Sequence, residues 1–191
     1  MARDTSAYVV DGVRLPSVTE ILSINGLSDF SKVPADVLET ARARGVRVHE
    51  WLEWLDKGEL ADGEEPDEEI AGYIAAYSRF REASGFDTEW VEHVVINRAH
   101  SYVGTLDRAG KMNGDRVVID LKTVSQVSKV TALQTAGYAA CFDQPHKRYA
   151  LQLKPTGKYT LHPYTDRNDK HDFLAAVRLT HWRLRNGEIE L

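Results

Sequence analysis

The stretch from Gly104 to Lys122 constrains this chain most, because Asn113-Gly114 separates two runs of strand-forming residues. Asn-Gly suits a two-residue hairpin turn, since both positions reach positive φ at little cost. Such a turn sets Met112 across from Asp115, and counting outward in the same register brings Asp107 directly opposite Asp120. The two side chains then share one face, and Lys122, two residues on, joins them because strand side chains alternate. Facing carboxylates repel. Val117, Val118, Ile119 and Leu121 make the second strand continuously apolar, the pattern of a strand buried on both faces, where an uncompensated carboxylate is costly. A divalent cation held by oxygen ligands would compensate the pair. The plainer alternative is a wet outer hairpin carrying two surface aspartates, and a bulge in either strand would undo the register.

The rest of the chain supplies elements to enclose that hairpin. Residues 8–15 read as two short strands about Asp11-Gly12, another pair suited to a tight turn. Ser17-Val18-Thr19-Glu20 has the form of a capping box, so a short helix should begin at Ser17. Over 34–57, Leu38, Ala41, Gly45, Val48, Trp51, Leu52 and Leu55 recur at helical spacing, with Gly58 as a stop. Ile70, Tyr73, Ile74, Tyr77 and Phe80 repeat the pattern over 68–83, ending at Gly85, and the acidic run 59–69 reads as a solvated loop and helix start. The period then changes to that of strands at 91–96, 102–106 and 117–121. A helix over 130–142, strands near 148–154 and 158–164 around Gly157, and a last helix over about 169–185 complete the pattern. These elements predict an α/β fold with a central mixed sheet flanked by helices. At 191 residues and 42% hydrophobic composition, one domain over 1–191 is expected, since the length is short for two cores.

Composition removes several function classes. The single cysteine, Cys141, cannot form an intramolecular disulfide or supply a structural zinc or iron–sulfur site. No run reaches the roughly 18 apolar residues of a membrane span, and residues 1–7 lack the apolar stretch of a secretory signal. A cytoplasmic protein without membrane contact is expected. The net charge of −5 argues against coating nucleic acid through a broad basic surface; it does not argue against a local site in which metal ions offset carboxylates.

The ordered combination of Gly104-Thr105-Leu106-Asp107 with Asp120-Leu121-Lys122 resembles the PD-(D/E)XK nucleases of the RecB-like branch, which includes phage exonucleases and the mitochondrial genome maintenance exonuclease. The resemblance runs from about Leu15 to Tyr138. It implies a restriction-endonuclease-like core in which Asp107 and Asp120 bind metal, the backbone carbonyl of Leu121 adds a ligand, and Lys122 activates or orients the attacking water. His49, in Val48-His49-Glu50-Trp51-Leu52, matches the branch's upstream helical histidine and is thereby implied as a ligand; its apolar neighbours alone suggest a helix-packing residue. Gln134-Thr135-Ala136-Gly137-Tyr138 matches a Gln-x-x-x-Tyr helix, which implies that Gln134 and Tyr138 border the site and hold substrate or Lys122. By spacing alone these two share a helical face, and Tyr138 could equally pack on the sheet with Gln134 in solvent. Glu92 stands where the branch often has a first-strand glutamate and reads equally as a ligand or as an ordinary strand residue. The opening Leu15-Pro16-Ser17-Val18-Thr19-Glu20 looks like the start of the phage and mitochondrial enzymes, and equally like a capped helix. With Cys141 as its single cysteine, the chain departs from the cluster-bearing members of the branch.

The function implied is hydrolysis of DNA phosphodiester bonds with one or two Mg²⁺ or Mn²⁺ ions and no iron–sulfur cluster, on DNA with a free end, in recombination, repair or replication. Arg44 and Arg47, three apart on the His49 helix, and Lys129 after the acidic strand are the nearest cations for DNA phosphates; each reads equally as part of a solvated face. Two alternatives share the fold. One is a module that binds DNA or protein without cutting, and the other is a structure-specific flap endonuclease.

Overall fold

A computed structural model describes residues 8–28 and 34–191. The segment 1–7, whose sequence lacks an apolar signal stretch, lies outside the described residues.

Asp11 and Gly12 take φ of 52° and 79° and join β1 (Val9–Val10) to β2 (Val13–Arg14). Ser17 then caps α1 (Val18–Ile24): its hydroxyl accepts from the Glu20 amide, and the Glu20 carboxylate accepts from the Ser17 amide. Two longer helices follow, α2 (Ala35–Lys57) and α3 (Glu68–Ser84), each stopped by a glycine in the left-handed region, Gly58 and Gly85. The sheet begins with β3 (Asp87–Asn97), β4 (Tyr102–Met112) and β5 (Asp115–Lys122). After α4 (Thr131–Ala139) come β6 (Lys147–Leu153), β7 (Tyr159–Tyr164) and α5 (Asn168–Arg185).

The strands lie in sequence order, β3-β4-β5-β6-β7. All pairs are antiparallel except β5–β6, and that parallel pair requires the crossover that α4 provides. The fold is therefore the expected α/β arrangement of a central mixed sheet flanked by helices. Asn113 and Gly114, at φ 52° and 81°, form the tight turn, and the β4–β5 ladder runs from Met112↔Asp115 to Arg108↔Ile119, as the sequence register requires.

Several elements differ in length from their sequence signals. β3 and β4 extend beyond the β-branched runs, because ladder pairing draws in Arg108, Gly110 and Lys111, which have little strand preference of their own. Gly110 has no room for a side chain: a Cβ there would lie 2.0 Å from the backbone oxygen of Asp87. The helix expected over 130–142 is shorter, with its regular part at α4.

Helices cover both faces of the sheet. On one, Val48 and Leu52 of α2 and Ile70, Tyr73, Tyr77 and Phe80 of α3 pack on Val117, Ile119, Leu121, Leu151 and Leu153. On the other, α1, α4 and α5 bring Val18, Ile21, Tyr138, Phe173 and Val177 onto Tyr102, Leu106, Ala109 and Val118. β5 thus buries side chains in both directions, which accounts for its unbroken apolar run, and each such buried aliphatic or aromatic side chain stabilises by about 1.5–3 kcal/mol. Among the described residues no helix is long and apolar enough to cross a membrane.

Candidate active site

The β4–β5 ladder stops one pair short of Asp107 and Asp120. There the backbone N–H of Leu121 donates to Oδ2 of Asp107 at 2.7 Å, so a side chain takes up a main-chain donor at the strand end. Both aspartates are buried, with exposures of 5% and 1%. Lys122 reaches back to Asp120, with Nζ 2.7 Å from Oδ2, and donates to Oε1 of Gln134 at 3.2 Å. Gln134 in turn donates through Nε2 to the hydroxyl oxygen of Tyr138 at 3.2 Å. The ring of Tyr138 lies where a side chain at position 104 would project, 2.7 Å from a Cβ built on Gly104, so glycine there lets α4 approach β4.

His49 enters from α2 on the other side. Its Nδ1 is 3.3 Å from Oε1 of Glu92 and 3.6 Å from Oδ1 of Asp107. His49, Glu92 and Asp107 each offer a ligand atom within 4.8 Å of the others, a separation that suits a common cation. Glu92 sits in β3 with φ of 46°, a left-handed conformation uncommon for a non-glycine residue inside a strand. Backbone strain of this kind concentrates at functional sites.

The His49, Asp107, Asp120, Leu121, Lys122, Gln134 and Tyr138 positions line one cleft of about 200 Å³, with Tyr8, Ser17, Val18, Thr19, Gly104 and Thr105 on its other walls. The Tyr8 hydroxyl lies 2.7 Å from Oγ1 of Thr105, tying the start of the described chain to β4. A larger hollow, about 800 Å³, opens near Lys147 and Arg167 and contains none of the acidic cluster. Size therefore does not select the site; the grouping of ionisable side chains does.

Burial lowers the pKa of Lys122, but Asp120 and Asp107 outweigh it and hold the ammonium above its ordinary value. Burial, followed by the same two carboxylates, raises Tyr138 well beyond the usual tyrosine range. Burial and Asp120 raise Tyr164 as well. Lys122 is therefore a fixed cation and Tyr138 a neutral hydrogen-bonding group.

The donor set fits a hard or borderline divalent ion. Carboxylate oxygens suit Mg²⁺ and Mn²⁺, and one imidazole nitrogen favours Mn²⁺ of the two. Asp120 stands outside the triad of close ligand atoms, and its carboxylate is paired with Lys122.

Two of the basic residues expected at DNA have partners on α3 or at its start. Arg47 pairs with Asp67 and Glu69 at the start of α3, and the Arg44 guanidinium lies 5.7 Å from the Tyr73 ring centroid. Lys129 is exposed in the turn before α4. Arg108 and Asp56 had no part in the sequence reading, yet they form a buried ion pair against Glu92. Asp56 lies two helical turns after His49, a spacing that puts both on one face of α2.

Together the five-stranded mixed sheet and its helices form an α/β fold consistent with a restriction-endonuclease-like core. The chain is similar to a crystal structure from Eubacterium rectale named as a "putative exonuclease", with a TM-score of 0.53 and 12% identity, covering 94% of this chain and 79% of that one. Another solved structure, SSO0001, aligns at a TM-score of 0.39 and 18% identity over 58% of this chain; the chain spans 56% of its length. No protein-family model and no curated protein matches.

Proposed function

We propose that this chain is a metal-dependent DNA nuclease of a single domain, acting as an exonuclease on DNA with a free end. The observation that supports the reading most is the convergence of His49, Asp107, Asp120 and Lys122 on one cleft of a nuclease-like fold, with Glu92 offering a ligand atom beside His49 and Asp107. His49, Glu92 and Asp107 would hold a Mg²⁺ or Mn²⁺ ion, with Asp120 and the Leu121 carbonyl as further oxygen donors. A divalent ion bound there would supply a water of lowered pKa and charge neutralisation at the phosphate.

The protein's own groups have distinct parts. Lys122, kept cationic by Asp120 and Asp107, offsets negative charge developing on the phosphate and orients the nucleophile. Gln134 holds the Lys122 ammonium from α4, and Tyr138 holds Gln134. Lys129, exposed beside that helix, is the nearest candidate for a phosphate contact.

The test is degradation of end-labelled linear single-stranded and duplex DNA beside a closed circle, with Mg²⁺, Mn²⁺ or EDTA. Metal-dependent loss of linear DNA alone is expected. Lys122→Ala and Asp120→Asn should each lower the rate by about a hundred- to a thousandfold, as removal of a group that stabilises transition-state charge does, while leaving the far-UV circular dichroism unchanged. Cutting of the circle would replace the exonuclease reading with an endonuclease. Retention of DNA without cleavage in any metal would replace it with a binding module.

A further inference from the structure

Beneath the cluster of His49, Glu92 and Asp107 lies a second layer of charge. Arg108, the residue after Asp107, is fully buried. Its Nη1 donates to Oε1 of Glu92 at 3.0 Å and to the backbone oxygen of Asp107 at 2.7 Å, and its Nε donates to Oδ2 of Asp56 at 2.6 Å. Asp56, whose side chain has no exposed surface, is clamped in turn. Tyr77 donates to its Oδ2 at 2.7 Å and Arg81 to its Oδ1 at 2.6 Å. The Arg108 guanidinium also lies 5.8 Å from the Tyr77 ring centroid.

Two guanidiniums face one carboxylate at Asp56, which leaves one positive charge directed at Glu92 and Asp107. Those side chains are only 6% and 7% exposed, and two carboxylates so close together repel unless a cation stands by. An arginine suits this position because its planar fork donates to separate acceptors in fixed directions, which a lysine cannot do. The clamp also spans the fold: α3 holds Asp56 on α2, Asp56 holds Arg108 on β4, and Arg108 holds Glu92 on β3.

We propose that Arg108 is a positioning residue that presets Glu92 for the divalent cation, with Asp56, Tyr77 and Arg81 fixing its own orientation. The inference rests on the metal-nuclease reading only for the identity of the ion. Arg108 has no exposed surface, and its effect passes through Glu92.

Mn²⁺ binding to the whole chain, measured by calorimetry without DNA, tests it. R108K keeps the charge and loses the fork, so it isolates positioning from electrostatics. Mn²⁺ affinity should fall about tenfold, the lower end of what loss of an outer-layer partner costs. In an E92Q background the same change should add almost nothing, because Arg108 acts through Glu92. Losses that multiply, or a lowered melting temperature with unchanged Mn²⁺ affinity, would overturn the proposal in favour of a purely structural ion pair. Should R108K fold poorly, the wild type itself decides: the Arg108 Nε–H, followed by nitrogen-15 NMR, should exchange slowly and shift on Mg²⁺ addition. A resonance that Mg²⁺ leaves unmoved overturns it. Wild type that binds Mn²⁺ but cuts no DNA removes the nuclease reading and leaves this inference standing, and wild type that binds no Mn²⁺ overturns the inference.

Discussion

Lys122 illustrates how one residue can be tied down from both sides. Asp120 on its own strand and Gln134 on α4 hold the ammonium, and Gln134 is itself held by Tyr138. Removing the lysine leaves Asp120 without its cation in a nearly dry position, so activity and local stability should both respond. Cys141 is a contrasting, partly buried group away from the cleft. Burial pushes its thiol up to about 11, against a smaller downward pull from Tyr102, and its Sγ–H donates to the Gly137 carbonyl at 3.4 Å. A raised folded-state pKa stabilises the protein fully below the unfolded value near 9.0, and that contribution fades as pH climbs through 11. Urea denaturation should therefore show wild type losing stability as pH rises from 9.0 to about 11, relative to Cys141→Ser. Iodoacetamide should modify the folded protein at pH 8 far more slowly than the unfolded chain.

Among the elements, two glycines at the middle of helices predict opposite outcomes for one substitution. Gly45 in α2 has room: a Cβ would meet only Oγ1 of Thr123, at an ordinary 3.5 Å. Gly45→Ala should stabilise by about 0.5–1 kcal/mol through reduced freedom of the unfolded chain and better helix propensity. Gly72 in α3 has none, since a Cβ would sit 1.8 Å from the backbone oxygen of Pro155 in the β6–β7 turn. Gly72→Ala should cost on the order of 1–3 kcal/mol, as forced overpacking does. Chemical denaturation of the two variants checks both signs, and equal destabilisation would mean that α2 does not lie against Thr123 in this way. Element boundaries follow the same division between local and distant causes. The capping box at Ser17 and the stops at Gly58 and Gly85 depend on neighbours in sequence, whereas the length of β4 depends on strands paired to it from both sides.

For the molecule as a whole, the acidic cluster is a cost that a bound cation would offset. If His49, Glu92 and Asp107 share an ion, Mn²⁺ at a hundred times its dissociation constant should stabilise the folded state by about 2.7 kcal/mol. Thermal melts with and without Mn²⁺ would show the rise, and His49→Ala should abolish most of it. The positions of Asp107, Asp120 and Lys122 were legible from sequence because a two-residue turn counts register outward without reference to anything else. Gln134 and Tyr138 were legible as neighbours on one helical face, and the structure adds what they touch. Arg108 was not legible: a basic residue in a strand reads as solvent-facing until α2 and α3 are seen to bury it against Asp56 and Tyr77. The partners of Arg47 were not legible either, since Asp67 and Glu69, at the start of α3, lie 20 and 22 positions away. By itself, then, the amino-acid sequence determined the periodic elements, the turn at Asn113-Gly114 and the register of the β4–β5 ladder up to the pair before the two aspartates, all of which are set by local torsion preferences and alternation along a strand. Only the tertiary structure decided that α2 crosses close enough to β3 for His49 to meet Glu92, and that a buried arginine stands behind them. Contacts between residues 43 and 52 positions apart arise from how helices pack on a sheet, which depends on the shape of whole surfaces rather than on any short stretch of chain.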